Sequence, residues 1–164
     1  MKYLLIKQKG NTMKYLLILM VLFTISILGQ SYTFEGVDCF DYSQQEGFEL
    51  VDQAVPDIFI KYDVGYFNHV VIFSNDRQSV MFQCKNPSAM KFNDIYSKLV
   101  KLMGRTEDRS GDYIPDSARG DAEYTATLIY IGSAKIVRAW DIDDEHSMGI
   151  VYDEEGLSVL WSTQ

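Results

Sequence analysis

One amphipathic stripe with strand-like sequence on both sides limits this chain most. Phe92, Ile95, Tyr96, Leu99, Leu102 and Met103 recur at the spacing of one helix face. Asn86-Pro87-Ser88 stops what precedes them, and Ser88 is placed to cap the helix at about residue 88. Lys98 and Lys101 fall in its last turns, where the helix dipole favours cations, and Gly104 suits the position just beyond a helix ending near 103.

The flanking sequence alternates at the period of a sheet. Phe48 to Val51, Ile58 to Tyr62, Phe67 to Phe73 and Ser79 to Cys84 read as strands before the helix. After it come Glu123 to Ile131, Lys135 to Ile142, Met148 to Tyr152 and Leu157 to Trp161. In the last two of these, Met148/Ile150/Tyr152 and Leu157/Val159/Trp161 mark one face. Arg138 interrupts the face of Ile136, Trp140 and Ile142. Short turns between successive strands predict antiparallel pairing. The expected class is therefore α+β, a mainly antiparallel sheet of six to eight short strands against one principal helix.

The amino terminus is read separately. Met13 and Lys14 precede an apolar run from Tyr15 to Leu28 and the small residues Gly29 and Ser31. These are the parts of an export signal. Fourteen apolar residues fall short of the roughly 20 that span a bilayer. MKYLLI occurs at 1–6 and again at 13–18, which makes Met13 a candidate start. The expected organisation is a signal over 1–31 and a single exported domain over 32–164, secreted or periplasmic. Stable membrane insertion is not expected unless the signal stays uncleaved.

Of 15 basic and 23 acidic residues, the first 31 positions hold four lysines and no acid. The remainder keeps 11 basic and 23 acidic residues, a net charge of −12. Such a surface repels phosphate backbones, so no nucleic-acid partner is expected, and a basic partner is favoured.

Cys39 and Cys84 are the two cysteines. In an oxidising compartment an even pair suggests a bridge, closing about 45 residues and worth about 4 kcal/mol. Cys84 shares a strand face with Val80 and Phe82 and should point inward.

Catalytic motifs are missing. Gly-x-Ser-x-Gly, HExxH and the phosphate-binding loop pattern are absent, and the two histidines, His69 and His146, are far apart in sequence. No catalytic residue, metal ligand or cofactor is assigned. Asp141, Asp143 and Glu145 alternate along one turn as hard oxygen ligands, which makes calcium the one cation to test. The 17 residues from Arg105 to Asp121 are longer than most connections. They carry Asp108, Asp112, Tyr113 and Asp116, which together with Asp141, Asp143 and Glu145 are the candidate binding residues. The functional expectation is an exported, non-enzymatic domain that recognises another macromolecule, an inhibitor of a basic enzyme being one specific form. A carboxylate-dependent hydrolase of glycan or peptide and a structural envelope component are the alternatives.

Overall fold

A computed structural model describes residues 32–75, 78–84 and 86–164. The signal assigned to 1–31 lies outside the described residues. Two dipeptide strands, β1 (Thr33–Phe34) and β2 (Val37–Asp38), form a small ribbon. Then come β3 (Glu49–Asp52), β4 (Val55–Val64), β5 (Phe67–Phe73), β6 (Ser79–Cys84) and helix α1 (Ala89–Met103). The short strand β7 (Arg109–Ser110), a 3-10 turn (Asp116–Ala118) and helix α2 (Ala122–Tyr130) follow. Strands β8 (Ile136–Asp141), β9 (His146–Asp153) and β10 (Gly156–Thr163) end the chain. The main sheet has eight strands in the order β3-β4-β5-β6-β10-β9-β8-β7, and every pairing is antiparallel. The α+β class, the principal helix and the closing three-strand meander are as the sequence implies.

Helix α1 forms where its stripe predicts. The Ser88 side chain accepts the Lys91 amide, and Gly104 ends the helix at φ 68°, a left-handed conformation that costs a glycine nothing. Phe92, Ile95 and Leu99 are buried against the inner face of the sheet, and the Phe92 and Tyr96 rings meet Tyr152 and Trp140. The segment 32–48 covers the other half of that face. Phe34 packs edge-on against Phe67 and Phe82, and Phe40 and Tyr32 pack on Trp161. Lys98 on α1 reaches Glu35 at 2.8 Å and ties the two covers together. Trp140 and Trp161 are therefore core residues.

One expectation needs revision. Glu123 to Ile131 is helical, not a strand. Asp121 caps the Tyr124 amide, Thr125 Oγ1 and Thr127 Oγ1 donate back to the Ala118 and Glu123 carbonyls, and Gly132 leaves the helix at φ 73°. Local capping and the burial of Ile129 outweigh the β-type composition. Cys39 and Cys84 are both buried and unbridged in this structure. The Cys39 thiol donates to the Val37 carbonyl at 3.6 Å, and burial pushes its pKa up. Cys84 does point inward beside Val80 and Phe82.

Candidate functional site

Asp108, Asp112, Asp116 and Asp141, four of the acids singled out from the sequence, are held by the chain's own arginines. Arg138 projects from β8 with only 19% of its side chain exposed. A half-buried guanidinium needs anionic partners. Both Asp112 oxygens accept from it in a fork, and its Nε lies 3.1 Å from Glu107 Oε1. Asp112 thereby holds Arg138 charged and raises its pKa. The other Glu107 oxygen takes the Tyr96 hydroxyl at 2.5 Å, which pushes the tyrosine pKa up. Asp108 pairs with Arg105, Asp141 with Arg109, and Asp116 with Arg119. The loop from 105 is thus pinned to β8 through β7 and a further bridge between Tyr113 and Lys135.

The turn after β8 is closed on itself as well. Asp143 accepts the Glu145 and His146 amides and lies 2.8 Å from His146 Nδ1; the Glu145 amide bond first, then His146, lower the Asp143 pKa. Glu145 contributes its carbonyl to the Gln164 amide. Asp141 faces an arginine while Asp143 faces a histidine, so the three calcium candidates do not converge. Among the described residues no three His, Cys, Asp or Glu side chains group as a metal site requires. Arg119-Gly120-Asp121 is likewise occupied, with Arg119 on Asp116 and Asp121 capping α2. His69 sits half-exposed on β5 against Gln83, at 3.1 Å.

A groove that sequence reasoning missed opens between the helices. Its wide part, about 670 Å³, lies between the first turns of α1 and α2 and the β9–β10 turn. A narrower part of about 350 Å³ continues inward to Phe92, Ile129, Ile136 and Arg138. Small residues line it on both helices. Ala89 on α1 and Ala122 and Ala126 on α2 line both parts. Tyr152 lines both parts. Met90 and Tyr130 stand at the rim, 77% and 82% exposed. Exposed apolar groups beside a concave floor are a common mark of a binding surface.

The rim is acidic. Glu123, Asp153, Glu154 and Glu155 border the wide part, and no lysine or arginine does so among the described residues. Asp153 is matched by Lys135 at 3.0 Å. Glu123, Glu154 and Glu155 have no ion-pair partner among the described residues. Two helix N-termini meet here and would by themselves favour an anion. One amide of each is capped, by Ser88 and Asp121, and Glu123, Glu154 and Glu155 stand beside them without an ion-pair partner among the described residues.

Comparison with known proteins gives no match: no family model, no curated protein and no solved structure aligns with this chain. Among the described residues no helix is long and apolar enough to cross a membrane.

Proposed function

We propose that the protein is an exported, non-enzymatic recognition domain. It seats a basic, apolar-anchored segment of another macromolecule in the groove between α1 and α2. One observation carries this reading: an apolar floor walled by alanines, with Glu123, Glu154 and Glu155 at its rim and without an ion-pair partner among the described residues. An apolar side chain entering the groove gains from burial against Tyr152 and Met90. Flanking lysines or arginines gain from the carboxylates. Inhibition of a basic secreted enzyme is the specific form that fits the strongly acidic surface.

A synthetic peptide alternating leucine and lysine is the probe. Fluorescence titration of the purified protein should give saturable binding that weakens as salt screens the rim. Replacing Glu123, Glu154 and Glu155 together by Gln should weaken it about tenfold, since each exposed charge pair is worth a few tenths to about 1 kcal/mol. No binding, or binding indifferent to both salt and the substitutions, overturns the proposal.

A further inference from the structure

The groove changes character along its depth. At its mouth stand Met90, Tyr130 and the carboxylates of Glu123, Glu154 and Glu155. Its narrow part is lined by Phe92, Ile129, Ile136, Tyr152 and Arg138. Asp121 is the one acid there, and its carboxylate is engaged by the Tyr124 amide.

We propose that the narrow part seats one tryptophan side chain of a partner polypeptide, with lysines or arginines beside it in that polypeptide meeting the glutamates at the mouth. This rests on the groove being the binding site and adds the identity of its anchor.

Size is the first support. The narrow part measures about 350 Å³. A cavity of about 150 Å³ already holds a benzene molecule. A leucine side chain would leave much of the wall without a contact, and each missing contact forfeits attraction. A bicyclic ring reaches more of it.

The walls are the second support. The Phe92 and Tyr152 rings lie stacked with centroids 6.1 Å apart, and the Tyr96 ring continues the row 6.2 Å from Phe92. An entering ring adds to an existing aromatic row, and aromatic pairs attract beyond the area they bury. At the inner end is a cation already fixed in place. Asp112 takes the Arg138 guanidinium at its edge, in a fork, which leaves the planar faces unused. No ring stacks on Arg138 among the described residues. A guanidinium stacks on aromatic faces, and tryptophan is the best partner for a cation.

The mouth is the third support. Met90 is 77% exposed on the first turn of α1. A methionine adapts to irregular surfaces and its sulfur makes favourable contacts with rings. Glu123, Glu154 and Glu155 have no ion-pair partner among the described residues, so charge complementarity sets the residues beside the anchor as basic.

Competition read by fluorescence anisotropy tests this. The leucine–lysine peptide, labelled with a dye, is displaced by peptides of lysine and glycine that carry alanine, leucine or tryptophan at one central position. The tryptophan peptide should compete at least about tenfold better than the leucine peptide, and leucine better than alanine. Ala126→Leu places a good helix former in the wall shared by both parts and should abolish the tryptophan advantage. Met90→Gln alters an exposed position that the fold does not need and should reduce that advantage about threefold. Thermal unfolding checks that both variants fold. Equal competition by tryptophan and leucine overturns the inference and leaves the groove reading intact. Failure of the labelled peptide to bind overturns the groove reading and the anchor with it. A tryptophan advantage unchanged in both variants places the ring elsewhere and overturns the inference, as does decylammonium competing as well as the tryptophan peptide, which assigns the groove to an alkyl chain.

Discussion

Two acidic regions of this molecule look alike in sequence and differ in structure. In the first, 105–116 with 141–146, Asp108, Asp112, Asp116 and Asp141 meet arginines, and Asp143 meets His146. In the second, around 123 and 153–156, three glutamates border an apolar groove without a cation among the described residues. Arginines therefore match the acids in one place, and among the described residues nothing matches them in the other. What separates them is whether the chain supplies its own counter-charge.

The largest effect should come from breaking the first region at its centre. Arg138→Met leaves Glu107 and Asp112 facing each other without their shared cation. Loss of hydrogen bonds to a half-buried charge should cost about 2 kcal/mol in urea unfolding. A loss below about 0.5 kcal/mol would mean the arginine pairs are decorative.

The second region should answer in the opposite way. The triple Gln variant at Glu123, Glu154 and Glu155 should lose about tenfold in affinity for the leucine–lysine peptide while its stability changes by less than about 0.5 kcal/mol. Comparable losses of stability in both regions would erase the contrast.

Tyr42 offers a polar group that neither region pairs. Its hydroxyl is buried with no hydrogen-bond partner among the described residues, and its pKa is pushed up to about 12, chiefly by burial. Tyr42→Phe should therefore stabilise the protein by about 1 kcal/mol at neutral pH. Because the folded state resists ionisation, wild-type stability should hold up to about pH 10 and then fall as pH rises toward about 12. The Phe variant should show a shallower decline, and the same alkaline limb in both proteins would refute the assignment.

The smallest effect belongs to Asp143. Its folded pKa is lowered, so its contribution is present above the ordinary carboxylate range and is lost as pH falls through the lowered value. Asp143→Asn should flatten that part of the acid limb of an unfolding curve. An unchanged limb would show that the turn does not depend on this carboxylate.

Much of the frame is legible from residue order. The stripe of α1, its Ser88 cap and its Gly104 stop lie within some twenty consecutive positions, and the alternation of β9 and β10 is equally local. Helix α2 is not, because Tyr124, Thr125, Thr127, Ile129 and Ile131 carry strand propensity. Its signals were Asp121 at the cap, Gly132 at the exit, and Ala122, Thr125, Ala126 and Ile129 at helical spacing. Misreading α2 hid the groove, whose walls come from three separate segments. Arg138 was visible as an interruption in an apolar face, but whether an acid is paired is a tertiary property. Composition alone could not separate Asp112, held by an arginine, from Glu155, at an open rim.

Chemical-shift mapping by NMR, with the leucine–lysine peptide titrated into the labelled protein, tests the central claim most directly. The account predicts saturable shifts at Ala89, Met90, Ala126, Tyr130 and the turn 153–156, with residues 105–116 and 141–146 unmoved. Shifts confined to 105–116 and 141–146, with the groove silent, would contradict it.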